Sequence, residues 1–415
     1  MLSASLAPTL ALLLVPLAEL PPPNVLLIVA DDQAWYDFGF MGSKAVRTPH
    51  LDKLAAESAV FPNAYVPTSL CRASLATILT GQHAYQHKIC CNDPPKGVDR
   101  ARMHPFIKKA PALPRLLGEA GYVSLQTGKF WEGHHSNAGF THGMTTKGRH
   151  GDEGLVIGRK TLKPIEEFIA GAKGKPWLVW YAPMMPHEPH NPPERLLKKY
   201  PVTKDRPLKL AKYHAMIEWF DETVGEVLSH LDAIKQRDNT IVVFVVDNGW
   251  IQETGPKQTT RGWFAPRSKL SPYDGGVRIP VLIRWPGHTK AGRYDDLVST
   301  VDVVPTVLAA AGVKIPREVS GVSLLDRAAG KEALARKAIF GEIYEHTSRD
   351  LDKPGVNLTH RWVREGDWKL IVPVKGDAEL FDITHDPYEK SNQAAKEAKR
   401  VKELRTRLDA WWDGR

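Results

Sequence analysis

Two pairs of oxygen-bearing side chains, Asp31 with Asp32 and Asp247 with Asn248, close two apolar runs, Asn24 to Ala30 (NVLLIVA) and Thr240 to Asp247 (TIVVFVVD). Three carboxylates and one amide make a hard donor set. Calcium accepts about six to eight oxygens in flexible geometry, whereas magnesium usually keeps several waters, so a cage of this kind leans toward calcium. Zinc prefers nitrogen and sulfur and would bind it poorly. Either pair alone is weak, because Asp-Asn-Gly is also ordinary turn chemistry. The two pairs converge only if the two runs are neighbours.

Cys71, Cys90 and Cys91 are too few and too crowded for a disulfide framework. An isolated cysteine is commonly a small buried hydrophobe, so any chemistry at Cys71 depends on its surroundings. His187 and His190, in Pro186-His187-Glu188-Pro189-His190-Asn191, taken alone could be loop histidines satisfied by backbone carbonyls. Lys129 and Lys269, taken alone, read as solvated surface charges. His83 and His87 follow Thr80-Gly81, and His87 reads as structural. Trp35, Trp250 and Trp263 could stack on sugar faces, but packing is the commoner use, and they stay outside the expected site.

The runs Asn24 to Ala30, Trp177 to Ala182 (WLVWYA), Thr240 to Asp247 and Pro280 to Trp285 (PVLIRW) have strand length and continuous apolarity. Such runs fit strands buried on both faces of a parallel sheet. Pro207 opens a helical pattern in which Tyr213, Ile217, Phe220, Val224, Val227, Leu231 and Ile234 share one face. Strands alternating with helices predict an α/β fold, whose functional groups collect at the carboxyl ends of the strands. His360 to Phe381 reads as short strands with turns, and Ser391 to Trp412 as a basic amphipathic helix. The expected division is a signal over residues 1–20, a catalytic α/β domain over 21–335 and a small α+β subdomain over 336–415. The loops 92–111, 131–155 and 249–276 are long enough to carry function.

A 415-residue chain that is 42% hydrophobic and 25% charged is neither a disordered tail, a collagen-like fibre nor a polytopic membrane protein. Its net charge of +9 is scattered and forms no single stripe, which favours an anionic small or polymeric substrate over nucleic acid. The apolar run Leu6 to Ala18 is too short to span a bilayer comfortably. It reads as an export signal, although it lacks Lys and Arg, so a periplasmic or extracellular destination is expected. No later segment is long and apolar enough to be transmembrane.

Cys71-Arg72-Ala73-Ser74-Leu75 with Leu79-Thr80-Gly81 resembles the sulfatase signature C-x-[PA]-S-R followed by x-x-x-L-T-G. The resemblance extends over nearly the whole chain after residue 20. It takes in Asn24 to Asp32, Thr127-Gly128-Lys129, Ala182-Pro183 with Pro186-His187, Asp247-Asn248-Gly249, and Lys269 followed by Asp274 to Pro280 (DGGVRIP). It implies an alkaline-phosphatase-like fold, with a mixed, mainly parallel sheet. It also implies that one calcium ion is bound by Asp31, Asp32, Asp247 and Asn248, and that a modifying enzyme converts Cys71 to formylglycine.

The resemblance implies hydrolysis of a sulfate ester, on a small molecule or a glycan. One hydroxyl of the hydrated aldehyde attacks sulfur, and the other later expels sulfate. Lys129, Lys269 and His187 match residues that hold the sulfate and assist the leaving group, and Asp247 orients or deprotonates the attacking hydroxyl. Both lysines are thereby assigned to an anion and not to the core, so their loss is expected to cost rate far more than stability.

Two positions depart from the pattern. Leu75 replaces an arginine, which removes a donor near the nucleophile and part of what the modifying enzyme reads. Either Arg72 compensates, or conversion is inefficient or depends on a tolerant enzyme. Trp131 stands where the family has a histidine credited with the second half of the reaction, and His134 and His135 are the candidates to replace it. The rival readings are a phosphodiester or phosphonate hydrolase of the same superfamily and a catalytically silent binder of sulfated glycans.

Overall fold

The computed structural model describes residues 21–255 and 264–414, so the expected signal and Trp263 lie outside the described residues. The strands are β1 (Asn24–Ala30), β2 (Ala59–Tyr65), β3 (Val123–Gly128), β4 (His142–Gly143), β5 (Trp177–Ala182), β6 (Thr240–Val246) and β7 (Arg278–Arg284). They continue with β8 (Gly292–Arg293), β9 (Val298–Ser299), β10 (Ala338–Tyr344), β11 (Leu358–Glu365), β12 (Trp368–Pro373) and β13 (Glu379–Asp382). Among the described residues the larger sheet runs β4-β3-β5-β1-β6-β7-β2-β8, with β9 also beside β2.

The centre of that sheet explains the continuous apolar runs. β1, β5 and β6 are buried at every position because helices cover both faces. The Leu208–Ala233 helix supplies part of this cover through Phe220, Val224, Val227 and Leu231, whereas Ile234 lies just past its end and is exposed. β3, β5, β1 and β6 are parallel neighbours. β7 runs antiparallel to both β6 and β2. β2 therefore points the same way as β1, while β7 brings its amino end to the edge where the parallel strands finish.

β10 to β13 form a separate antiparallel sheet in sequential order, covered by the Ala398–Trp411 helix through Leu404 and Leu408. The helix expected from Ser391 begins seven residues later. Gln393 N–H donates to the Leu380 carbonyl, and the Asn392 side chain accepts from Leu380 and Ala394 N–H. Polar side chains thus tie this segment to β13 and compete with helix formation. β10 was not among the expected strands.

Candidate active site

β1 and β6 pair in register up to Ala30 opposite Val246, which sets Asp31 and Asp247 level at adjacent strand ends. Asp247 N–H donates to the Ala30 carbonyl at 2.9 Å, and Asp247 Oδ1 accepts from Asp32 N–H at 3.0 Å. Asp32 takes a left-handed conformation, φ 60°, that turns its carboxylate from the strand line into the cluster. The Asn248 amide donates to Asp32 Oδ1 at 2.7 Å. The four expected ligands are therefore brought together.

Lys129 arrives from the end of β3. Its N–H donates to the Ala182 carbonyl at 2.6 Å across a contact that leaves no room for a side chain at Gly128, where a Cβ would lie 1.7 Å from that oxygen. The Lys129 ammonium donates to Asp31 and, at 3.2 Å, to Asp247 Oδ2. Lys269 comes from the segment before β7, pinned where Leu270 N–H meets the Ser69 carbonyl at 2.9 Å. Its ammonium donates to both Asp32 oxygens at 2.7 Å. Lys129 is 1% exposed and Lys269 6%. Both are therefore buried ion-pair partners as well as candidate anion holders, so their loss is expected to cost stability as well as rate.

The Cys71–Thr80 helix follows β2 on the same edge and is buried along its whole length. Cys71 Sγ lies 4.0 Å from Asp32 Oδ1 at its first turn. Burial, only partly offset by Lys129 and Lys269, pushes the thiol up to about 12. An unmodified thiol here is protonated at neutral pH and a poor nucleophile. The His187 loop is held to β1 by Asp31 N–H donating to the Met185 carbonyl at 3.0 Å. His187 Nδ1 donates to the Glu188 carbonyl at 2.7 Å, which leaves Nε2 as the atom facing Asp32, 3.4 Å from Oδ2. Burial, partly countered by Asp32, pushes the ring down to about 3. It is neutral at pH 7, and the negative charge of a bound anion would raise it toward the range of a useful acid.

The residues fit a hard cation. Burial and the neighbouring carboxylates push Asp31 up, and they push Asp247 up to about 7 despite the lysines, whereas Lys269, His187 and Lys129 overcome burial to hold Asp32 well below its ordinary value. With all three carboxylates ionised, the two ammoniums would leave one negative charge uncompensated. Asp31 Oδ2 and Asn248 Oδ1 are buried without a hydrogen-bond partner, and both belong to the expected cage. Oxygen donors with unused lone pairs in an electronegative pocket suit calcium.

In the folded protein the Arg72 side chain is committed away from the Cys71 thiol. Its guanidinium donates to Glu132 at 2.7 Å and to the carbonyls of Cys91 and Met103, while Leu75 is packed into the core. His134 and His135 cap and brace a short turn, contacting Ser136 and Thr145. The histidine beside the site is instead His150, missed in the sequence. It packs edge-on to Trp131 with centroids 4.5 Å apart and to His187 at 5.4 Å. Its only sequence signal was membership of the 131–155 loop. Trp250 also touches the site, its ring 5.6 Å from the Lys269 ammonium. His190 packs between Tyr213 and Trp250. His87 is structural, sharing hydrogen bonds with Thr77 and Ile89.

The chain resembles known proteins in both sequence and fold. The sulfatase family matches residues 23–313, and the family of N-sulphoglucosamine sulphohydrolase C-terminal regions matches 260–412. The chain is 28% identical to human N-acetylgalactosamine-6-sulfatase, covering 84% of this chain and 73% of that protein. It is 26% identical to an N-acetylglucosamine-6-O-sulfatase of Bacteroides thetaiotaomicron, covering 94% and 86%. In fold it is similar to Ps i-CgsB, with a TM-score of 0.76, 24% identity and 95% and 94% coverage. It is also similar to the phosphonate monoester hydrolase of Agrobacterium radiobacter, with a TM-score of 0.72, 18% identity and 93% and 96% coverage. With the family match running through both strand-end carboxylate pairs and the Cys71 helix, the chain belongs to the sulfatase family and is a sulfuric ester hydrolase.

Proposed function

We propose that the chain removes sulfate from a carbohydrate, with Cys71 converted to formylglycine as nucleophile and one calcium ion held by Asp31, Asp32, Asp247 and Asn248. The observation that carries this is the meeting of Cys71, both lysines and both carboxylate pairs at one sheet edge. The sulfated amino sugars in the names of the relatives support a glycan substrate. When bound, calcium would neutralise charge on the sulfate oxygens, and the hydrated aldehyde supplies a hydroxyl that a thiol lacks. Lys129 and Lys269 hold the anion, Asp247 orients the attacking hydroxyl, and His187 Nε2 delivers a proton to the leaving oxygen. His150, beside His187, takes the place left by Trp131.

The division into residues 21–335 and 336–415, and export directed by residues 1–20, complete the proposal. The modifying enzyme is its macromolecular partner. Among the described residues no helix is long and apolar enough to cross a membrane.

Mass spectrometry of the tryptic peptide ending at Arg72 tests the nucleophile, run alongside turnover of sulfate, phosphodiester and phosphonate esters by the same preparation. Formylglycine at Cys71 with sulfate esters preferred is the expected result. An unconverted Cys71 in active protein overturns the proposed nucleophile, and a preference for phosphorus esters overturns the proposed substrate.

A further inference from the structure

A second group of charges lies on the 92–111 and 131–155 loops. Arg149 grips Asp93 side-on, Nε to Oδ1 and Nη2 to Oδ2, each at 3.0 Å. Arg100 donates to the same carboxylate and, at 2.9 Å, to the Asn92 carbonyl. His346 Nδ1 is 3.5 Å from Asp93 Oδ2. The buried Trp131 indole underlies both arginines, whose guanidinium carbons are 5.0 and 5.4 Å from its centroid. This replaces the flexibility of surface arginines with a fixed base.

Two guanidiniums share one carboxylate, so the cluster keeps a net positive charge. It is also accessible: the Arg149 side chain is 45% exposed. Each terminal nitrogen of Arg149 carries two N–H groups, and the observed bonds, from Nη2 to Asp93 and between Nη1 and His150 Nε2 at 3.2 Å, occupy one on each. Through His150, which touches His187, the cluster adjoins the pocket of Cys71 and the two lysines. A group this close to one anion site and still short of negative charge suits another anion on the same ligand.

We propose that Arg149 and Arg100, held open by Asp93 on the Trp131 base, form an accessory subsite for a second sulfate or carboxylate on the glycan whose sulfate ester enters the Cys71 pocket. The inference rests on the sulfatase reading and narrows its substrate class to polyanionic glycans. The planar forks of the arginines match either oxyanion, and Asp93 keeps them oriented between turnovers.

The test compares kcat/KM for a monosulfated hexosamine, a disulfated hexosamine, and a monosulfated hexosamine linked to a uronate. At least one dianionic substrate should be preferred about tenfold or more by the native protein, mainly through KM. In Arg149→Gln that ratio should fall to within about twofold of unity, and raising ionic strength should shrink it in the native protein. Which dianionic substrate is preferred identifies the second anion as sulfate or carboxylate. Arg100→Gln supplies the same measurement should Arg149→Gln fail to fold. A native ratio near unity, or a ratio unchanged by the substitutions, overturns the subsite. If the native protein cleaves no sulfate ester, the sulfatase reading has failed separately. Calorimetric titration of the disulfated hexosamine then decides the subsite, with binding lost in Arg149→Gln supporting it and equal binding overturning it.

Discussion

Lys129 and Lys269 each neutralise buried carboxylates, and in the proposed mechanism each also holds the sulfate. Lys129→Ala and Lys269→Ala should each lower kcat about a hundredfold, the cost of one charge-assisted contact in a desolvated site. Each should also cost about 3–5 kcal/mol of stability, because the partner carboxylates stay buried and lose their counterion. Kinetics and urea denaturation on the same samples check both halves; a stability loss below about 1 kcal/mol would contradict the buried pairs. Asp247→Ala should weaken calcium binding and abolish turnover, since its carboxylate belongs to the proposed cage and accepts from Asp32 N–H. Elemental analysis and the calcium dependence of melting read the first effect directly, and two zinc ions in fully active protein would refute the oxygen-only cage. At this scale the residues that meet in the candidate site were mostly legible, because strand ends and a short motif fix residue types locally. His150 was not, because a long loop places it and no periodicity records where such a loop returns.

The Cys71–Thr80 helix presents the sharpest conflict between an element and its neighbours. Leu75 is packed in the core, whereas the family pattern has arginine there. Leu75→Arg should raise the converted fraction of Cys71 while lowering stability by about 1–3 kcal/mol through overpacking. Peptide mass spectrometry separates the first effect from the second, which a melting curve reports; unchanged conversion would show that Leu75 is not what limits the modifying enzyme. At the far end of this helix His87 is buried between Thr77 and Ile89, and burial pushes it down to about 3. Its folded value lies below the unfolded one, so the unfolded chain binds the extra proton as pH falls. The contribution is complete above about pH 6.5 and is lost on acidification, at up to about 1.4 kcal/mol per pH unit. His87→Gln should reduce the slope of stability against pH between about 4 and 6.5 by one proton's worth; an unchanged slope in denaturation series would remove His87 as its source. The strands β1, β5, β6 and β7 were readable from continuous apolarity, whereas β2, β3 and β10, with polar or proline interruptions or no matching run, were not, and direction was not readable for any of them. A run buried on both faces looks the same whether parallel or antiparallel, and the reversal of β7 is what carries Lys269 to the edge shared with Asp31.

Across the whole molecule, the small C-terminal sheet is tied to the segment leading into β7. Lys369 of β12, fully buried, donates to Asp274 at 2.8 Å and pairs with Glu389 at 2.9 Å, while Tyr65 of β2 donates to the other Asp274 oxygen at 2.9 Å. Glu389 in turn accepts from Asp274 N–H at 2.6 Å. Burial alone would raise Asp274, but Lys369, Arg278 and Arg364 hold it below its ordinary value, so it is a charged group that depends on those partners. Sequence pattern indicated a separate C-terminal unit of short strands and a helix; it could not show that a lysine within an apolar strand plugs into the catalytic layer, because ion pairing across 95 residues leaves no local trace. Lys369→Met should therefore destabilise the protein by about 3–5 kcal/mol, since Glu389 loses its buried cation and Asp274 keeps only its arginine partners. Combining it with Asp274→Asn should recover part of that loss, since the remaining charge is then halved, and the double-mutant cycle measures the coupling. Because Asp274 lies five residues beyond Lys269, Lys369→Met should also lower kcat before it unfolds the chain. Full activity at a temperature where the melting curve has already shifted would show that the C-terminal sheet stabilises the catalytic layer without positioning its lysine.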